Sequence, residues 1–392
     1  MEIRQLTGLE QQQAHYIWSQ SFERGDREME EWKDWEARTP TGRKNYGIFG
    51  ASRLEAAFLT VDETIYLGAD ATLPISAVCG VGVLPASRGK GHASAGMRHL
   101  FGQMRDQGQP ISLLEPFSWD FYGKLGYAWT APTRRYAVPT RVLKPSPETE
   151  HVRAALPEDL PAIIACYTRL AQRYRGMVVR RPEVWEYILD ASKKEHTYTY
   201  LYERDGEVEG YLYYHGGKRE ETHLEEFITT TMRAARGMLG LLRRHEMQID
   251  KFNWAAPSDE LLWSTLVHGD IQTKLMTRHM ARIVDVPAAL RAIHPQSNAP
   301  AALTVAIQDD AAPWNQRTWR IEYGSGSSAE VKPTDAPPQV SLDIQALSQA
   351  YLGSPTVAEL RASDRIQVHD ETGFVHLQRL LTGPPAWCND GF

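Results

Sequence analysis

Short, largely apolar β-like runs mix with helical stretches in the first part of the chain. Tyr46-Gly47-Ile48-Phe49 and Leu54-Glu55-Ala56-Ala57-Phe58-Leu59-Thr60 read as strands with helical stretches around them, which predicts a mixed α/β domain closing near Thr140. In residues 140–150, Pro145 and Pro147 stand among polar neighbours, the composition of a linker. A second start follows. Val152-Arg153-Ala154-Ala155 predicts a strand, and Pro157-Glu158-Asp159-Leu160 predicts a helix opening with acids beside the positive end of the helix dipole. Leu160, Ile163, Ile164, Tyr167 and Leu170 then give that helix one apolar face. Residues 198–202 and 208–215 predict two strands turning at Asp205-Gly206, and 232–246 is helix-like despite Gly237 and Gly240. After Asp285-Val286-Pro287 the texture changes to Ala-rich helical stretches between short strands, with Gly324-Ser325-Gly326-Ser327-Ser328 as a flexible loop or hairpin tip. The expected domains are therefore 1–143, 150–284 and 285–392, and no repeat of solenoid period runs through them.

Composition narrows this picture. A chain of 392 residues suits two or three domains, and 42% hydrophobic residues with a mean hydropathy of -0.44 describe a globular protein, not a disordered or collagen-like one. Its 43 Lys+Arg against 49 Asp+Glu give a net charge of -6, which disfavours a nucleic-acid partner. No apolar run approaches the roughly 20 residues of a membrane span. Met1-Glu2-Ile3-Arg4-Gln5 lacks the basic and apolar regions of a secretory signal, so the cytoplasm is the expected location and no membrane association is foreseen. Cys79, Cys166 and Cys388 are far apart and have no Cys-x-x-Cys spacing, an argument against a disulfide framework and against a metal site.

The chemistry concentrates in residues 81–97. Val81-Gly82-Val83 is a short strand that turns at Pro85, and Arg88-x-x-Gly91-x-Ala93 then opens a helix continued by Met97, Leu100, Phe101 and Met104 at helical spacing. A helix start offers unpaired N–H groups to an anion, Gly89 and Gly91 let a pyrophosphate approach the main chain, and Arg88 and Lys90 add charge. Two glycines alone fit an ordinary strand-to-helix turn equally well. The Gly-x-x-x-x-Gly-Lys-Ser/Thr and Gly-x-Gly-x-x-Gly motifs are absent from the sequence. The stretch resembles motif A of the GNAT acetyltransferases, in which the strand pairs with the pantetheine arm of acetyl-CoA and the helix start grips its pyrophosphate. That resemblance assigns Val81, Gly82 and Val83 to the arm, and Arg88, Gly89, Lys90, Gly91, His92, Ala93 and Ser94 to the phosphates. Downstream, Pro110-Ile111-Ser112-Leu113-Leu114 is a short strand, and Phe121-Tyr122-Gly123-Lys124-Leu125-Gly126-Tyr127 is similar to the GNAT motif B. By that likeness Tyr122 is the general acid that protonates the leaving thiolate, Phe117 and Ser118 also touch the cofactor, and Tyr127 is a core aromatic.

The whole chain resembles the Eis (enhanced intracellular survival) family. This implies tandem GNAT folds, mixed central sheets flanked by helices, the second lacking an acetyl-CoA motif, followed by a sterol-carrier-like α+β domain that ends in the active site. The resemblance makes the carboxylate of Phe392 the base for the acceptor amine. Asp390-Gly391 departs from the family pattern, in which an acid directly precedes the last aromatic, so Asp390 is a weaker substrate candidate. Residues 22–38 hold seven acids against four bases. Most of these acids read as a solvated helix face; the family reading is an acidic pocket wall with Phe22, Asp26, Trp32 and Trp35, joined more weakly by Asp259. The implied reaction is direct transfer from acetyl-CoA, with no metal, to a small cationic amine of aminoglycoside, polyamine or lysine type, in a homo-oligomer that is a hexamer in this family. Cys79, just before the strand, stays open as a nucleophile. Two rivals remain: a non-catalytic acetyl-CoA or lipid-binding regulator, and a protein-lysine acetyltransferase.

Overall fold

The computed structural model describes residues 2–22, 26–50, 53–189, 197–216, 218–295, 299–324 and 328–391. The predicted Gly-Ser tip falls largely on 325–327, outside the described residues.

The first stretch runs β1 (Glu2–Gln5), α1 (Leu9–Phe22), α2 (Asp26–Arg38), β2 (Arg43–Phe49), β3 (Leu54–Gly68), β4 (Ala71–Val83), α3 (His92–Asp106), β5 (Ile111–Leu114), α4 (Trp119–Gly123) and β6 (Ala128–Thr130). The second continues with β7 (Thr133–Pro139), β8 (Val152–Ala154), α5 (Leu160–Ala171), α6 (Pro182–Leu189), β9 (Thr197–Arg204), β10 (Glu207–His215), β11 (Thr222–Thr229), α7 (Met232–Arg243), β12 (Lys251–Pro257), β13 (Gln272–Met276) and β14 (His279–Ile283). The last comprises α8 (Val286–Arg291), β15 (Ala301–Gln308), β16 (Arg317–Tyr323), β17 (Glu330–Pro333), β18 (Val340–Asp343), α9 (Ile344–Leu352), α10 (Val357–Ala362), β19 (Ile366–Val368) and α11 (Glu371–Leu381). Among the described residues, no helix is long and apolar enough to cross a membrane.

The two large sheets do not divide where the texture changes near residue 143. The first has the order β1-β2-β3-β4-β5-β14-β6, the second β13-β7-β12-β11-β10-β9-β8. Each half of the tandem therefore lends a strand to the other: β7 leaves the first sheet after a turn at Ala131, whose φ is 53°, and pairs with β12, while β14 returns to fill the gap between β5 and β6. Nor are residues 140–150 a free linker. They form two 3-10 turns, and Thr149 is buried against α7, where a side chain on Gly240 would come within 1.9 Å of its hydroxyl. Gly237 and Gly240 are tolerated in the helix because another segment approaches its backbone.

The third sheet, β17-β16-β15-β18-β19, does not keep a core to itself. Its apolar residues merge with those of the first sheet, Ile65, Leu73, Ile75, Ile111 and Ile283 among them, in one continuous cluster. Helix α9 is wedged into that junction: it is buried nearly all round, and Gln345 and Gln349 donate to the carbonyls of Tyr127 and Trp129 at 2.8 and 2.9 Å. A helix without a polar face must be enclosed by protein. Arg282 of β14 closes the same seam through a fully buried ion pair with Asp309. Beyond α11 the chain turns back between the two GNAT-like halves, bridging Arg175 at Ala386 and burying Trp387 against Tyr174 at 5.5 Å.

Candidate active site

Strands β4 and β5 are parallel, and their pairing stops at Val78 opposite Leu114, while β4 continues to Val83. The other side of β4 stays on β3, where Leu84 N–H bonds the carbonyl of Glu55. In an antiparallel ladder successive residues face opposite ways, so Gly82 also faces β3, and Val81 and Val83 turn their main-chain groups toward the gap. Their side chains pack on the core under α3, and a side chain on Gly82 would strike Ile17 and Trp18 of α1. The result is an open strand edge ready to pair with an extended ligand.

That edge leads to the start of α3. Gly91 is its N-cap at φ 81°, with no side chain bonding the first N–H groups, and Gly89 lies at φ 79°. Only glycine adopts such angles cheaply, and a Cβ on either residue would meet open space, so the cradle is accessible from outside. Arg88 and Lys90 flank it, exposed, with Arg88 Nε 3.3 Å from the carbonyl of Val83. His92 turns inward and bonds Glu55 at 2.8 Å, and that contact holds the Glu55 carboxyl below its usual range. Ala93 and Ser94 are half-buried in the first turn. One turn further on, Gly96 lets the helix sit directly on the ring of Phe58. The arrangement suits a pyrophosphate: free N–H donors, a positive dipole end and two exposed cations.

Tyr122 comes from α4, whose N-cap Ser118 accepts from Phe121 N–H at 3.3 Å. Its ring is held edge-on by Phe117, Phe121 and Tyr127, at 5.4, 4.9 and 5.7 Å, and burial pushes its phenol well above the ordinary value. Among the described residues its hydroxyl has no hydrogen-bond partner. Tyr127, by contrast, shares a 2.7 Å bond with Ser112 in the core. Phe117 stands exposed beside them.

A cleft of about 1000 Å³ opens where the first sheet, the second sheet and the returning tail meet, with Glu115, Trp119, Tyr187, Glu226, Asp390 and Gly391 in its wall. Trp35, Arg180, Val184, Asp390 and Gly391 also wall a smaller cavity of about 50 Å³ at its inner end, next to Cys79 of β4. Of the acceptor candidates, Trp35 faces both. Trp32 does not: it stacks on Trp18 at 5.1 Å between α1 and α2, with Phe22 at 5.7 Å, and so supports the wall from behind. Asp259 is exposed and outside both cavities; its charge acts on Tyr174. The side chain of Asp26 and the whole of Phe392 lie outside the described residues. Asp390 is engaged rather than free, bonding Arg180 at 2.5 Å, Tyr167 at 3.1 Å and, through its carbonyl, His279 at 2.8 Å. Arg180 in turn grips Glu226, which Tyr211 and Asn389 also contact. Gly391 then lies against Arg278 and Glu115, at the end of β5.

Residues 2–130 and 176–283 each match an acetyltransferase (GNAT) domain, and residues 286–389 match a sterol carrier protein domain. An uncharacterized N-acetyltransferase of Streptomyces avermitilis is 28% identical over 76% of both chains, and the N-acetyltransferase Eis of Mycobacterium tuberculosis 23% identical over 83% of this chain and 82% of its own. The chain is an Eis-like N-acetyltransferase of the GNAT class. Solved structures agree on its fold over the full length: a GCN5-related N-acetyltransferase from Anabaena variabilis at TM-score 0.88 and 22% identity, and Eis1 from Mycobacterium abscessus at 0.78 and 21%, each covered completely.

In this Eis-like enzyme the second GNAT fold has closed its own helix start. The N-cap of α7, Thr231, accepts from Ala234 N–H, and the carboxylate of Glu209 bonds both Thr231 and Arg233 there. The donor is occupied and an acid sits where an anion would bind. Sequence reading missed Glu63, Arg180 and Glu226. The only signal was local: charges set inside apolar runs, Val61-Asp62-Glu63 in β3 and Val178-Val179-Arg180-Arg181 before α6.

Proposed function

We propose that this N-acetyltransferase moves the acetyl group of acetyl-CoA directly to a primary amine of a small cationic acceptor, of aminoglycoside, polyamine or lysine type. The observation that carries the proposal is the strand edge left open beyond Val78 and running into the uncapped, glycine-lined start of α3. Val81 and Val83 would bond the pantetheine arm, and the first N–H groups of α3 with Arg88 and Lys90 would hold the pyrophosphate. When bound, acetyl-CoA supplies an activated acetyl thioester. The cleft reaches Glu115 and Gly391 near the end of β5, which supports entry of the acceptor amine from that side. Tyr122 gives its proton to the departing sulfur, a task suited to a phenol that stays protonated at neutral pH and spends its hydroxyl on no other group. Burial pushes the Cys79 thiol up to about 12, which favours direct transfer over an acyl-enzyme at that residue. For the carboxylate of Phe392, which the resemblance makes the base for the acceptor amine, the proposed role is mostly positioning. With an ordinary pKa of about 3.5 it is a weak base, so its part is to hold the ammonium in place.

A cleft walled by three parts of the chain favours a small amine over a folded protein's lysine. The resemblance extends the proposal to a cytoplasmic hexamer, which sedimentation would test. Acetyl-CoA consumption measured across aminoglycosides, polyamines and lysine peptides tests the activity. Turnover confined to lysine peptides would move the assignment to a protein acetyltransferase, and acetyl-CoA binding without any turnover would favour the regulatory reading.

A further inference from the structure

The tail beyond α11 is held in two ways, first by main chain and then by side chains. Residues 175–179 run between it and the catalytic sheet: Val178 bridges Ile65 of β3, Arg175 bridges Ala386, and Trp387 N–H bonds the carbonyl of Arg175 at 3.0 Å. Backbone pairing therefore registers the tail as far as Trp387. Among the described residues no main-chain bond follows, and a buried charge cluster takes over.

Arg180 is its centre. The guanidinium lies 4.2 Å from the ring of Tyr167 in α5 and 4.8 Å from that of Trp185 in α6, grips Glu226 of β11 with both terminal nitrogens, and turns Nε to Asp390 at 2.5 Å. Tyr167 donates to the other carboxylate oxygen of Asp390 at 3.1 Å, and His279 of β14 donates to the Asp390 carbonyl at 2.8 Å. Tyr211 and Asn389 donate to Glu226 at 2.6 and 3.3 Å. The side chains of Arg180, Glu226 and Asp390 are only 4, 2 and 11% exposed. Ions so deeply buried add little net stability, because desolvation offsets their attraction. A stacked guanidinium with all three nitrogens engaged does, however, have one orientation, and it imposes that orientation on its partners.

We propose that Arg180 and Asp390 form a clamp that sets where the chain's end enters the acceptor cleft, so that the second GNAT fold, its own helix start closed, serves the reaction of the first. This rests on the acetyl-transfer reading above and on the part given there to the carboxylate of Phe392. Both are positioning residues. Gly391 follows the clamp directly and comes against Glu115 just past Leu114, where β5 has parted from β4. Phe392 is next in sequence, one Cα step of about 3.8 Å further. A misplacement of about 1 Å costs on the order of a hundredfold in rate. With both carboxylate oxygens engaged, Asp390 serves the tail rather than the amine.

The test compares wild type with Asp390→Ala, which releases the tail but spares the Arg180–Glu226 pair, and with Asp390→Asn, which keeps an acceptor for Arg180. Each substitution is also made in a chain shortened by Phe392. With the best amine of the screen, Asp390→Ala should lower kcat about a hundredfold and Asp390→Asn less, with acetyl-CoA affinity unchanged. In the shortened chain neither should cost anything further, because the group being positioned is gone. Melting temperature and acetyl-CoA titration report folding, and an unfolded Ala variant passes the comparison to the Asn variant. Wild-type kcat in the folded variants overturns the clamp, as does an equal further loss in the shortened chain, the mark of a purely structural role or of direct contact with the amine. Should the shortened chain be too slow to measure, release of Phe392 by carboxypeptidase decides: faster release from the Asp390 variants supports the clamp, and equal release overturns it. A shortened chain as active as wild type overturns the clamp and leaves acetyl transfer standing. A wild-type enzyme that consumes no acetyl-CoA with any amine overturns both.

Discussion

Two tyrosines on neighbouring turns carry different loads because, among the described residues, the hydroxyl of Tyr127 has a hydrogen-bond partner and that of Tyr122 has none. Tyr122→Phe removes a hydroxyl that stabilises nothing in the fold, so kcat should fall by about a hundredfold while the melting temperature and acetyl-CoA affinity stay put. Tyr127→Phe should do the reverse, losing about 1 kcal/mol of stability with the Ser112 bond and leaving kcat nearly unchanged, as denaturant titration and steady-state rates would show. His279 adds a dependence on pH. Burial depresses its pKa, so the folded state resists protonation that the unfolded chain accepts. Its contribution is complete above the ordinary histidine pKa of about 6.5 and drains away as pH falls toward the depressed value; His279→Gln should flatten that part of the stability profile. At this scale the sequence was legible where structure is local, as in the short helix and glycine turn around Tyr122. Glu63, Arg180 and Glu226 escaped because each is defined by a partner distant in the chain, and composition records a charge without its neighbours.

The β4-to-α3 unit was legible for the same reason, since strand, turn and helix start are contiguous. Its glycines divide by role. Gly91→Ala would force a left-handed residue at a cost of about 1–2 kcal/mol per residue and place a methyl in the cradle, so calorimetry should record weaker acetyl-CoA binding. Gly96→Ala would drive a methyl into the Phe58 ring, costing about 1–3 kcal/mol of stability and leaving affinity in the folded fraction unchanged. Two elements were misread for identifiable causes. The strand read to Thr60 runs on to Gly68 because Lys44 and Arg181 satisfy the acids that break its alternation, Asp62 and Glu63. Residues 140–150 looked like a linker because prolines and polar residues also build tight turns, and the burial of Thr140, Leu143 and Thr149 marks them as packed.

Across the whole molecule, the sterol-carrier-like part is a structural partner of the catalytic sheet through the shared core and the buried Arg282–Asp309 pair. A chain cut after Val284 would expose Ile65, Ile75, Ile111 and Ile283 to water; it should be recovered aggregated or without a cooperative melt. The domain order was legible, but not the exchange of strands, because β7 and β14 look like ordinary members of the segments that contain them. That exchange sets a schedule for synthesis. At about 5–20 residues per second, the edge of β5 must wait roughly ten seconds or more before the ribosome delivers its neighbour β14. Meanwhile the catalytic half presents an apolar strand with one edge unpaired, the kind of surface that chaperones bind. The two GNAT folds, successive in sequence, are thus tied together by the exchanged strands, and neither sheet is complete without a strand from the other half.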